Sequence, residues 1–399
     1  MGKIDDFYIN FDDHWAVYRP GQKVTGRAVL KLNGELGWCE KIYALFSGSA
    51  RVLWMENDIP GNAHSSESIF FDQKSLIWPA NPKKENIVQK SIKLTPGRHE
   101  FQFSYNLPFE IPTSFEAQYS PGRIRYSVKI CLADCQDNIR VSRKSVFCVV
   151  KPLDLNSINQ SLLDQPYENS FVRNLSNSPY QKYYTKMKLF SPKTMGNKCS
   201  STLQVKISTP KTGYVPGERI EMEIRLKNDS PFLTVKKTKL HLNQIVTCFS
   251  DKPDYKMKEI YKKLGSCTDD TKVGLKSKKI EHVCKFSNLY VPAVVPNFCL
   301  DAVLDVRYAL KVELTIGADM VIFCTEIPLT IGTVPLIGKT RYFSENWNTR
   351  TEAPPAYDNF AMNIPPPTYE ETLAGFCRVD SCTGFHINAA WLANFILPK

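Results

Sequence analysis

The chain has 399 residues, 43% hydrophobic and 23% charged, with a net charge of +11. That length suits about two or three domains, and the composition excludes wholesale disorder. No apolar run reaches the roughly 18 residues of a bilayer span, and Met1-Gly2-Lys3-Ile4-Asp5-Asp6 lacks the apolar stretch of a secretion signal, so neither an integral membrane protein nor a secreted one is expected.

Tyr18-Arg19-Pro20-Gly21-Gln22-Lys23-Val24 reads as a turn that feeds a strand. Pro96-Gly97 and Pro121-Gly122 mark further turns. After the latter, Ile124, Tyr126, Val128 and Ile130 alternate with Arg123, Arg125, Ser127 and Lys129. A period of two means a strand with one buried and one wet face. His99-Glu100 begins like a zinc-protease motif, but Phe103 stands where the second histidine is needed. The apolar run Val146-Phe147-Cys148-Val149-Val150 stops at Lys151-Pro152, which closes a first domain at 1–152. From Leu153 to about Gln181 the chain is rich in Asn, Ser and Gln and reads as a connector.

The second half repeats the first. Leu203, Val205 and Ile207 alternate with polar residues. Tyr214-Val215-Pro216-Gly217-Glu218-Arg219-Ile220 echoes the first turn 196 positions later, and Ile220, Met222, Ile224 and Leu226 then alternate with Glu221, Glu223, Arg225 and Lys227. Leu304, Val306, Tyr308, Leu310, Val312 and Leu314 form another such series. Within it, Arg307-Tyr308-Ala309-Leu310-Lys311-Val312 echoes Arg125-Tyr126-Ser127-Val128-Lys129-Ile130 at an offset of 182. Two echoes in one order predict a duplicated domain. With no long amphipathic helix pattern before residue 344, the class is all-β: two tandem antiparallel sandwiches, the second together with its connector at 153–343.

The excess charge is concentrated in the second half: residues 181–343 hold 27 Lys and Arg against 15 Asp and Glu. Lys236-Lys237, Lys262-Lys263 and Lys278-Lys279 are its densest points. Two readings stand: attraction to an acidic lipid surface, phosphorylated tails or acidic partners, or solvated loops that keep a β protein soluble. No aromatic platform is interleaved with these lysines, so nucleic acid is not expected. His241, in an apolar strand, reads as a packed core or edge histidine. The pairs Asp5-Asp6, Asp12-Asp13 and Asp269-Asp270 would face opposite sides of a strand, so none makes a catalytic pair.

Beyond Phe343 the composition turns acidic and Pro-rich, so 344–399 reads as a disordered tail. It carries Pro354-Pro355-Ala356-Tyr357 and Pro366-Pro367-Thr368-Tyr369, both Pro-Pro-x-Tyr. Proline favours polyproline II, so little entropy is lost on docking into the aromatic groove of a WW domain, with a pocket for the tyrosine. The predicted WW-binding residues are Pro354, Pro355, Tyr357, Pro366, Pro367 and Tyr369. Thr368 and Glu371 have capping-box spacing, which predicts a helical turn placing Leu373 beside Tyr369 for an added contact. The tyrosines lie 12 residues apart. A flexible segment of that length spans roughly 20 Å, enough for two adjacent WW domains and a gain from avidity.

The twelve cysteines are scattered, with no Cys-x-x-Cys, and read as reduced, mostly buried cytosolic thiols. There is no dinucleotide fingerprint, Walker loop or nucleophile elbow. The expectation is therefore no enzyme, no catalytic residues, no cofactor and no metal.

Together these stretches resemble the arrestin domain-containing proteins, the alpha-arrestins. The likeness rests on Tyr18–Gly26, on Leu107-Pro108 with Ile111-Pro112-Thr113-Ser114-Phe115-Glu116 and Gly122–Tyr126, and on Pro152-Leu153-Asp154-Leu155-Asn156. Gly213–Glu218 and Ile331-Gly332-Thr333-Val334-Pro335-Leu336 complete it, along with the paired tail motifs. The resemblance implies two arrestin-type, immunoglobulin-like β-sandwiches and a tail that recruits HECT-type ubiquitin ligases through their WW domains. It implies a cytoplasmic adaptor, recruited peripherally to plasma membrane and endosomes, that delivers membrane receptors or transporters for ubiquitination, endocytosis and sorting. A trafficking or signalling scaffold without a ligase is the alternative. The tail has no leucine-rich acidic clathrin-box pattern, and no cysteine matches the thioredoxin link of one family member.

Overall fold

The computed structural model describes residues 4–56, 63–79, 94–117, 120–158, 163–175, 201–230, 233–274, 279–300, 303–316 and 320–337. The chain divides into two units. The first is Met1–Pro152 with Thr247–Glu259 and Phe298–Asp305; the second is Leu153–Val246, Ile260–Asn297 and the chain from Val306.

Among the described residues, nine strands precede the boundary: β1 (Ile4–Phe11), β2 (Val17–Tyr18), β3 (Lys23–Leu32), β4 (Lys41–Met55), β5 (Ala63–Trp78), β6 (Gly97–Asn106), β7 (Phe115–Glu116), β8 (Gly122–Ala133) and β9 (Ile139–Val149). One sheet has the order β1-β3-β6; the other runs β2-β9-β8-β4-β5, with β7 also on β8. The two sheets meet through aromatic rings. Phe46 of β4 stacks on Tyr105 of β6 at 4.8 Å, and Phe11 of β1 meets Phe147 of β9 edge-on at 5.9 Å. The alternation on β8 falls as its period requires: Ile124, Tyr126, Val128 and Ile130 are all buried. Each such side chain contributes roughly 1.5–3 kcal/mol by leaving water, so a one-residue register slip would be very costly.

Ten strands follow among the described residues: β10 (Tyr167–Asn174), β11 (Thr202–Thr209), β12 (Gly213–Tyr214), β13 (Arg219–Asn228), β14 (Lys237–Ser250), β15 (Lys256–Asp269), β16 (Glu281–Tyr290), β17 (Phe298–Leu300), β18 (Leu304–Ile316) and β19 (Met320–Ile331). Their sheets have the orders β10-β11-β13-β16 and β12-β19-β18-β14-β15, with β17 also on β18. The buried faces of β11, β13 and β18 are the alternating series read from the sequence.

The duplication is visible bond by bond. In both Pro-Gly turns the glycine adopts positive φ, +81° at Gly21 and +90° at Gly217. That fits the third position of a type II turn, which a side chain disfavours. Gln22 N–H donates to the Arg19 carbonyl, as Glu218 N–H does to Val215. The strand before each turn pairs in parallel with the last long strand of its half: β2 with β9, and β12 with β19. The twin tyrosines also match. Tyr126 OH donates to the Pro112 carbonyl at 2.7 Å, and Tyr308 OH to the Val295 carbonyl at 2.6 Å.

The connector reading needs one correction. Tyr167–Asn174 is a full strand, β10, paired antiparallel with β11 from Tyr167↔Thr209 to Asn174↔Thr202. It is an edge strand, so Glu168, Asn169, Ser170 and Arg173 face solvent and hide the alternation. Phe171 anchors it against Phe323 at 5.2 Å. Upstream, Leu153-Asp154-Leu155-Asn156 packs on Gly332–Leu336. Leu153 N–H donates to Thr333 Oγ1 at 2.8 Å, and Asn156 Nδ2 to the Pro335 carbonyl at 2.8 Å. Leu155 joins Leu163 and Val215 in a buried cluster. A Cβ on Gly332 would come within 2.8 Å of Leu155 and of the Leu153 carbonyl, so only glycine allows this approach.

Candidate functional site: a cationic sheet face

The six predicted WW-binding residues, Pro354, Pro355, Tyr357, Pro366, Pro367 and Tyr369, lie outside the described residues, as do Leu373 and Lys278. Of the other lysines at the dense points of the basic second half, Lys236 precedes β14 and Lys237 begins it, Lys262 and Lys263 lie on β15, and Lys279 precedes β16. Lys237 pairs with Asp270 at 3.6 Å, while Lys262 and Lys263 are exposed on β15.

The first unit holds a denser cluster. Because Ile124, Tyr126, Val128 and Ile130 of β8 point into the core, Arg123, Arg125 and Lys129 must point out. Strand pairing brings two more cations to them. Arg51 of β4 lies directly opposite Arg123, and Lys144 of β9 directly opposite Lys129. Two carboxylates answer. Glu67 of β5 accepts from Arg51 Nη2 at 2.8 Å, and Glu116 of β7 accepts from Arg125 Nε at 3.0 Å. Among the described residues, Lys129 and Lys144 have no ion-pair partner. Like charges set directly opposite each other destabilise a sheet, so this arrangement opposes folding. Partial burial, then Arg125, Lys129, Arg123 and Arg51, hold the Lys144 ammonium below the usual lysine range. Burial, then Arg125 and Arg51, depress Arg123 in the same way.

A cleft of about 210 Å³ opens at one end of this face, bordered by Arg51, Arg123, Glu116 and Ser120. A larger one of about 910 Å³ lies over β1, β3 and β6. Its three cations, Lys23, Arg27 and Arg98, are nearly matched by two carboxylates: Arg27 pairs with Asp12 and Glu100, and Arg98 with Glu100, whereas the β8 face sets five cations against two carboxylates. The face of β8 is therefore the better anion receptor. Its central cations were visible in the sequence as the wet side of one strand. Arg51 and Lys144 join them only through pairing of distant strands, which no local pattern reveals.

Other candidates resolve as structural. His241 of β14 lies 3.6 Å from Glu313, with Nδ1 buried and lacking a hydrogen-bond partner. His99 Nε2 bonds the Thr95 carbonyl at 2.7 Å. The nine described cysteines form no disulfide with one another, and five of them are buried. Among the described residues, no helix is long and apolar enough to cross a membrane.

Comparison with known proteins agrees with the two-domain β fold. Residues 7–156 match the family described as Arrestin (or S-antigen), N-terminal domain, and residues 199–336 match Arrestin (or S-antigen), C-terminal domain. The chain belongs to the alpha-arrestin family. It is 27% identical over 354 residues to arrestin domain-containing protein 17 of Caenorhabditis elegans, covering 85% of this chain and 73% of that one. It is 25% identical over 340 residues to arrestin domain-containing protein 1 of Rattus norvegicus, covering 84% and 65%. Human thioredoxin-interacting protein is 30% identical over 157 residues, covering 39% and 38%. Membership in the alpha-arrestins points to a non-enzymatic adaptor fold with a role in trafficking.

Proposed function

We propose that this alpha-arrestin tethers membrane cargo to a HECT-type ubiquitin ligase. The observation that carries the reading is the pair of Pro-Pro-x-Tyr segments, Pro354–Tyr357 and Pro366–Tyr369, on a chain whose remainder is two arrestin-type domains. Each segment suits one WW domain of the ligase. At the other end, the uncompensated cations around Lys129 and Lys144 suit an acidic cytoplasmic segment of a receptor or transporter. The mechanism is effective concentration: once cargo and ligase share one scaffold, transfer of ubiquitin to cargo lysines becomes quasi-intramolecular. The place of action is the cytoplasmic side of plasma membrane and endosomes, where such cargo tails are found.

The test is capture of the intact chain on an immobilised tandem WW fragment. Wild type should be retained, each of Tyr357→Ala and Tyr369→Ala weakened, and the double variant lost. Full retention of the double variant would reject the ligase link and leave a scaffold that works without one.

A further inference from the structure

The second unit carries a side-chain cluster that the proposed adaptor role does not require. Asp269 ends β15, the edge strand of the six-stranded sheet. His282 and Cys284 lie two apart on β16, the edge strand of the four-stranded sheet, and so share one face. The edges of the two sheets thus contribute to one spot. There a carboxylate oxygen, an imidazole nitrogen and a sulfur lie within 4.8 Å of one another. His282 Nε2 is 2.9 Å from Asp269 Oδ2. Cys284 is buried, while His282 and Asp269 keep 15% and 24% side-chain exposure, which leaves an approach from solvent. The buried hydroxyl of Thr238 on β14 lies against the thiol.

We propose that Asp269, His282 and Cys284 form a binding site for a zinc ion. The donor set selects the metal. Calcium and magnesium want oxygen ligands throughout, whereas one thiolate, one imidazole and one carboxylate suit zinc. Three protein ligands with the fourth position left to water is a common zinc arrangement. Bond lengths of about 2.0–2.3 Å at tetrahedral angles put ligand atoms about 3.3–3.7 Å apart. The histidine–aspartate contact opens by less than about half an ångström to meet this. Charge balances as well: Zn²⁺ with one carboxylate and one thiolate is neutral. On binding, the Cys284 S–H bond breaks, the sulfur lone pair goes to the metal and one proton is released to solvent. His282 binds through Nε2 as the neutral imidazole, with its ring proton on Nδ1. The bound ion ties the edge of one sheet to the edge of the other.

The experiment uses the full-length chain, reduced and stripped of metal, titrated with Co²⁺ as a spectroscopic probe and then with Zn²⁺. The expected result is a thiolate-to-cobalt charge-transfer band that saturates at one equivalent and is displaced by zinc. Zinc should also raise the melting temperature. Cys284→Ser should abolish the band and the zinc-dependent rise. Asp269→Asn, which retains an oxygen acceptor for the Thr271 N–H, and His282→Gln should each weaken binding at least about tenfold. Cys377→Ser/Cys382→Ser, which changes thiols of the tail, should leave the band intact. A band that survives Cys284→Ser, one that follows Cys377 and Cys382, unweakened binding by Asp269→Asn and His282→Gln, or no band at all would each overturn the proposal.

Discussion

Replacing Lys144 by threonine should make the protein more stable and a poorer ligand for acidic peptides. Lys144 on β9 sits directly across from Lys129 on β8, and Arg125 and Arg123 of β8 lie on the same face. Unlike Arg51 and Arg125, which have Glu67 and Glu116, the two lysines have no carboxylate partner among the described residues. A like-charge pair directly opposite in a sheet costs about 0.2–1 kcal/mol, and threonine also suits a strand. The gain should therefore reach up to about 1 kcal/mol, a melting shift of about 2–4 °C at most for a unit of this size. Lys206→Thr serves as the control: Lys206 pairs with Glu168 at 2.9 Å, so its loss should be neutral or slightly destabilising. The assay is thermal unfolding of both variants beside fluorescence titration with a polyglutamate peptide at low and high salt. Lys144→Thr should melt higher, bind the peptide more weakly and show a shallower salt dependence. If it melts lower, or binds the peptide as wild type does, the cluster is not a strained anion receptor.

Other predictions rest on the duplicated scaffold and its buried groups. Tyr308→Phe should cost more than Tyr126→Phe. The first strands both the Val295 carbonyl and the buried Gln244 amide, about 2–3 kcal/mol, and the second only the Pro112 carbonyl, about 1 kcal/mol. Urea unfolding of both variants checks the order, and equal losses would count against it. His241 should make stability fall on acidification. Burial foremost, with Lys263, Lys239 and Lys311 adding and Glu313 opposing, lowers its folded pKa below the unfolded value of about 6.5. The unfolded chain then takes up the proton more readily, so stability drops as pH falls below about 6.5 and levels off once the folded ring protonates. His241→Leu should flatten that part of the profile of unfolding midpoint against pH, and an unchanged profile would refute the assignment.

The legibility of this fold followed burial. β8, β11, β13 and β18 could be read residue by residue, because each has one face in a core and one in water. The strands at sheet edges could not. β5, β10 and β15 carry polar or charged side chains on both faces, so their period of two is faint, and β10 has the composition of a connector. The twin Pro-Gly turns were legible because positive φ leaves glycine little competition. The cationic face was half legible. Arg123, Arg125 and Lys129 share one strand, whereas Arg51 and Lys144 lie 72 and 21 residues from Arg123 in sequence and meet it only by strand pairing. The same holds for the Asp269, His282 and Cys284 cluster, whose ligands come from two sheets.

The adaptor account is tested most directly by reconstituted ubiquitin transfer. The components are the intact chain, a HECT-type ligase with tandem WW domains, and a membrane-anchored cargo tail bearing acidic residues and one lysine. The account predicts that cargo ubiquitination rises when the wild-type chain is added, and returns to the adaptor-free rate with Tyr357→Ala/Tyr369→Ala. Equal modification with the wild-type and the double-tyrosine chain would contradict it.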